Sequence, residues 1–220
     1  MNACRSPRSS KRVNPRRVSS SIERRRSRTR QELIEATHEL ILKRGIDGLS
    51  LRQVAAEMDY SAGALYGYFE NKEALVDAVR AECFERLNTS MMERIAGAET
   101  ASEQLRLGAL AYLDFARANP IDYHLMFGVG PSASTQNENH AIAQRALRFI
   151  VDGGIERNEI VTDGRYDADT IAHHCWATVH GLAMLQATVV ADRANELEPM
   201  AHEIIARVIS LFAPAKKKRR

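Results

Sequence analysis

The chain of 220 residues is short of several things, and each shortage excludes a class of protein. It has three cysteines, Cys4, Cys83 and Cys175, an odd number without disulfide or metal-site spacing. That usage suits a reducing compartment, and the expected location is the cytoplasm. Cys83 and Cys175 fall on apolar helical stripes and read as core residues. No apolar run reaches roughly 18 residues, the length a membrane-crossing helix requires, so no membrane partner is expected. No segment of convincing length alternates apolar with polar, so strands are not expected. No glycine-rich phosphate loop, paired carboxylates or nucleophile–base set is recognisable, and neither an enzyme nor a cofactor is expected.

Charge is present but segregated. Residues 1–30 hold 11 Lys and Arg against one acid, Glu23, and residues 216–220 are all basic. The body between them holds 15 basic and 27 acidic residues, so it would repel a polyanion at long range. Residues 1–27 are Arg- and Ser-rich and poor in apolar groups, which reads as a disordered basic arm. An arm touching phosphates or a minor groove, a solvated extension and a transit peptide all fit that composition. Residues 214–220 read as a basic tail.

The most telling stretch is 50–73. Ser50 and Gln53 form an S-x-x-Q capping box at a helix start. Val54, Ala55 and Met58 make one apolar face. Asp59 stands where a left-handed residue must turn the chain, and Asp tolerates that region. Ser61 is a natural N-cap for a second short helix. On it Leu65 and Phe69 point inward, while Tyr66 and Lys72 remain outside. Two short helices around a tight turn form a helix-turn-helix, whose second helix enters the DNA major groove.

The Leu65-Tyr66-x-Tyr68-Phe69 run, with Asn71-Lys72-Glu73-x-Leu75 after it and Gly45-x-x-Gly48-Leu49-Ser50-Leu51-Arg52-x-Val54-Ala55 before it, resembles the TetR family of transcriptional regulators. The family usually has glycine at Asp59 and a small β-branched residue at Tyr60. The resemblance implies an all-α protein: a three-helix DNA-binding domain over 28–73, and a long fourth helix leading into a ligand-binding and dimerisation domain over 74–213. It assigns phosphate contacts to Tyr68 and Lys72. The outward face of the second helix offers Ala62, Gly63, Ala64, Tyr66 and Gly67, a set poor in bidentate base readers. Base discrimination then falls on Arg52 and Tyr66, and positioning also on Ser50 and Ser61. A packed surface aromatic at Tyr66 and a solvated amine at Lys72 are the plainer alternatives.

Downstream, further helices are expected. The first helix starts at a Thr29-x-x-Glu32 box and ends at Gly45. The fourth follows an Asn71 cap, and a fifth follows Thr100 and stops before Pro120. A short helix covers 121–127, a mobile loop 128–137, and helices follow over about 140–157, 168–191 and 199–212. The 168–191 helix is apolar on two faces, which suits a homodimer pairing its last two helices with their copies. Trp176-x-x-x-His180-Gly181 looks like the Trp-His-Gly signature of one TetR subgroup. That resemblance places Trp176 and His180 in an effector cavity with Tyr123, Met126, Phe127 and Met184. The bland reading keeps Trp176 as core and His180 on a buried carbonyl. His173 and His180 lie about 10 Å apart by helical rise, too far to share a metal ion.

The function expected is a DNA-binding regulator, a repressor released from a duplex operator by a small-molecule effector. A regulator without such an effector, answering to a protein partner or acting as an activator, is the nearest rival. A non-specific DNA-binding protein is the next.

Overall fold

The computed structural model describes residues 15–128, 133–162, 166–187 and 194–214. The elements are α1 (Pro15–Arg44), α2 (Leu51–Glu57), α3 (Ala62–Tyr66), α4 (Lys72–Ile95), α5 (Ala101–Ala118), α6 (Pro120–Phe127), α7 (Ala133–Glu156), α8 (Ala168–Ala187) and α9 (Ala194–Ser210). The protein is all-α: among the described residues no strand occurs. No described helix is long and apolar enough to cross a membrane. The chain divides into two units, Met1–Val76 and Asp77–Arg220.

In the first unit α1 packs on α2 and α2 on α3. Leu33, Leu40 and Ile41 of α1, Leu51, Val54 and Ala55 of α2, and Leu65 and Phe69 are buried. Each full-sized apolar side chain removed from water contributes about 1.5–3 kcal/mol, enough to seat a helix as short as α3. The local signals act as written. Gly45 ends α1 at φ +75°, and its N–H reaches the Ile41 carbonyl at 2.9 Å. Asp59 turns the chain at φ 56°.

The start of α1 corrects the sequence reading. Thr29 does not cap a helix; it is buried in the interior of one that begins at Pro15. Residues 15–27, expected as disordered arm, are helical. Arginine is a strong helix former and proline suits a first helical position, so the pattern simply propagates upstream. Residues 1–14 of that arm, and 215–220 of the basic tail, lie outside the described residues.

In the second unit α5 is central, packing on α7, α8 and α9, with α8 also against α7 and α9. Leu105, Val151, Ile160, Ile171, Ala172 and Phe212 form a buried cluster. Gly154 lets the segment after α7 close in: a Cβ there would lie 2.6 Å from Ile160 and 2.7 Å from Ala101. α7 begins at Ala133 rather than about 140, so part of the expected loop is helix, and residues 129–132 lie outside the described residues. α9 begins at Ala194 with Pro199 inside it, not at its start. Small polar residues before His140 and the Glu196 and Glu198 positions before Pro199 continue the helices upstream of the expected starts. Residues 188–191, expected as the end of α8, lie outside the described residues.

Candidate nucleic-acid interface and candidate effector site

The first site is built by caps. The Ser50 hydroxyl accepts the Gln53 N–H at 3.3 Å and donates to the Gln53 side-chain oxygen at 2.9 Å. The Ser61 hydroxyl accepts the Ala64 N–H at 3.2 Å. Both hydroxyls therefore fix helix starts. With Leu65 wholly buried, α3 presents one face outward: Gly63, Ala64, Tyr66 and Gly67 are exposed and Ala62 is half-buried. Tyr66 is 60% exposed, unusually open for a large aromatic. Arg52, second residue of α2, is exposed too.

Two positions differ from expectation. Lys72 is half-buried rather than outside, and its ammonium donates to the Ile46 carbonyl at 2.9 Å. One of its three donors thus fastens the segment after α1. Tyr68 is half-buried beneath the Arg26 guanidinium, 5.9 Å from the ring centroid. Arg26 also donates to the Gly67 carbonyl at 2.8 Å, and Arg30 lies 4.9 Å from the Phe69 ring. Sequence reasoning missed both arginines. Continuing the α1 period upstream from Leu33 through positions 30 and 26 is the signal that finds them.

The second site lies in the other unit, where α5, α6 and α8 converge. The Tyr123 hydroxyl is 2.9 Å and the Tyr112 hydroxyl 3.0 Å from Nδ1 of His180, and the two hydroxyls are 3.3 Å apart. Around this triangle Phe127 meets His180 edge-on at 4.7 Å and Trp176 stacks on it at 5.0 Å. Tyr123 and Met126 are buried; Phe127, Trp176, His180 and Met184 are half-buried. Burial first, and the neighbouring Tyr123 second, push the Tyr112 phenol well above its ordinary range. Burial pushes Tyr123 up to about 12. Both hydroxyls therefore keep their protons at neutral pH and need acceptors. Nδ1 of His180 lies within hydrogen-bond distance of both, and which atom donates there follows the imidazole tautomer.

Of the expected effector residues, the structure thus joins Tyr123, Phe127, Trp176 and His180 in one cluster. Through Nδ1, His180 meets two phenols. Tyr112 was missed: it sits eleven residues before Tyr123, on another helix, and no motif marks it. His173 and His174 stand apart, each with Nδ1 on the carbonyl four residues earlier, Asp169 and Thr170.

Residues 33–79 match the family profile described as "Bacterial regulatory proteins, tetR family", and residues 105–211 that of "Tetracyclin repressor-like, C-terminal domain". The chain belongs to the TetR family of DNA-binding transcriptional regulators. It is 25% identical over 181 residues to the tetracycline repressor protein class D of Escherichia coli, covering 80% of this chain and 78% of that protein. It is 36% identical over 70 residues to the nicotine-responsive transcriptional repressor HdnoR of Paenarthrobacter nicotinovorans, covering 32% and 36%. A protein of unknown function from Rhodococcus sp. RHA1 superposes with a TM-score of 0.70 at 29% identity, covering 84% of this chain and 95% of that one.

TetR-family regulators bind DNA and act as dimers. Against the family's usual glycine, Asp59 holds the same left-handed turn at the cost of a Cβ. Apolar side chains are left exposed towards the chain's end: Leu185 on α8, Met200 and Ile204 on α9, and Leu211 just after it.

Proposed function

We propose that the chain is a repressor, released from its operator when a small molecule binds the Tyr112–Tyr123–His180 cluster. The reader unit comprises residues 28–73, and residues 74–213 carry effector binding and dimerisation. The single observation behind the effector reading is that cluster: three polar groups within hydrogen-bond distance of one another, beside the Phe127 and Trp176 rings. Small-molecule sites have that character, mostly apolar with a few placed polar atoms. An effector with one donor and one acceptor can replace a link of the triangle. Phe127, Trp176 and Met184 are half-buried beside it.

On the DNA side, the shape of α3 favours close approach. Ala62, Gly63, Ala64 and Gly67 let backbone near the groove, and alanine methyls suit thymine methyls. Arg52 and Tyr66 read base edges. Ser50, Ser61, Tyr68 and Lys72 position the unit on phosphates. The homodimer forms through α8 and α9, whose exposed Leu185, Met200 and Ile204 need cover. Two copies of α3 on a twofold axis meet half-sites roughly 34–36 Å apart. α4, running from one unit into the other, is the element through which an effector changes that spacing. The effector must favour one state by typically 1–3 kcal/mol to do so. The repressor names of two relatives agree with this sign of regulation.

A thermal-shift screen of small molecules, followed by release of labelled duplex, tests the proposal. A compound that stabilises the wild type and frees DNA should do neither to Tyr123→Phe or His180→Leu, which still bind the duplex. If hits act equally on those variants, the effector site lies elsewhere.

A further inference from the structure

The amino-terminal half of α1 lies ahead of the span shared with the family profile, which starts at residue 33. Residues 15–30 contain seven arginines and one acid, Glu23. Residues 21–28 are exposed. This rod is not loose from the reader. Arg26 bonds the Gly67 carbonyl at 2.8 Å and covers Tyr68, and Arg30 lies over Phe69. Gly67 follows the exposed Tyr66 directly, so the rod passes the carboxyl end of α3.

We propose that residues 15–28 of α1 are a second DNA-contacting element, a basic helix lying along the phosphates that flank the half-site. The proposal rests on the reading of α3 as the groove-inserted helix. Arg24, Arg25 and Arg28 supply the contacts, while Arg26 positions the rod. Arg28 holds Glu32 at 2.9 Å, but side chains 83% and 40% exposed make a weak pair that a phosphate displaces. The occupant is DNA rather than an acidic protein because the basic face adjoins the reader surface. The acidic body, with 27 acids against 15 bases, also leaves long-range attraction to be supplied locally. A helix fixed in advance makes those contacts without the ordering cost of a disordered arm.

The test uses the full chain and two duplexes, one of random sequence and one selected by the protein from a randomised pool. Arg24→Gln/Arg25→Gln/Arg28→Gln keeps helix propensity nearly constant. On random duplex it should bind about tenfold weaker at low salt, with the salt slope shallower by about 0.9 for each lost phosphate contact. Its preference for the selected sequence should persist, and the corresponding triple lysine variant should restore the slope. A triple glutamine variant with the wild-type melting temperature, affinity and slope overturns the proposal. Tyr66→Ala tests α3 separately: sequence preference surviving that change defeats the α3 reading, whereas the slope on random duplex still decides the role of α1.

Discussion

Gly63 and Gly154 occupy helices yet serve opposite needs. A Cβ at Gly63 would meet nothing within 4 Å, so a side chain there projects into open space. A Cβ at Gly154 would strike Ile160 and Ala101. Gly63→Ala should therefore raise stability by up to about 1 kcal/mol, the usual gain from removing a helical glycine. Gly154→Ala should lower it by about 1–3 kcal/mol through overpacking. Urea unfolding of the two variants beside the wild type shows both signs. Arg52→Ala should cost about 1–3 kcal/mol of discrimination at one base pair and leave other positions intact. Titrations against a set of singly mutated duplexes read this, and a uniform loss would mean that Arg52 contacts only phosphate. What the sequence disclosed at this scale was local: Ser50, Asp59 and Ser61 act within a few residues of themselves. The bond from Lys72 to the Ile46 carbonyl was not legible, because that partner lies 26 residues away. Tyr112 was missed for the same kind of reason, since it matters only once α5 meets α8.

Helix interiors were legible from period and caps, whereas helix starts were not where composition pointed to disorder or a loop. α1 and α7 both begin earlier than their Arg/Ser-rich or small polar leaders suggested, because nothing in those leaders opposes a helix already nucleated downstream. α5 shows a start fixed from both sides. Thr100 accepts the Glu103 N–H, as its box implied, but the Ala101 N–H is taken by Glu159 at 2.6 Å, from beyond α7. Arg157 first, and the Ala101 N–H second, hold the Glu159 carboxyl below its ordinary range. Its contribution to stability is thus complete above the unfolded-state value of about 4.3 and disappears as pH falls through the lower folded value. Glu159→Gln should melt below the wild type at neutral pH, with the gap closing in acid. A gap that widened in acid would contradict this role.

Two units are joined through α4, and TetR-family regulators act as dimers. Leu185, Met200 and Ile204, 50%, 56% and 36% exposed on the last two helices, are the residues that the proposed interface covers. Leu185→Glu/Ile204→Glu should sediment as a folded monomer and bind a two-half-site duplex far more weakly than the wild-type dimer. Retention of the dimer would place the interface on another surface. Sequence patterning pointed to these last helices because α8 is apolar on two sides. It gave no view of which residues stay uncovered in one copy.

The claim on which the rest depends is that α3 enters a DNA groove with its small-residue face. Gly63→Leu measures this directly, because a Cβ there meets nothing within 4 Å. Fluorescence anisotropy with a duplex selected by the wild type should show the variant folded, dimeric and unable to prefer that duplex over random DNA. A Gly63→Leu protein that kept wild-type affinity and preference would contradict the account.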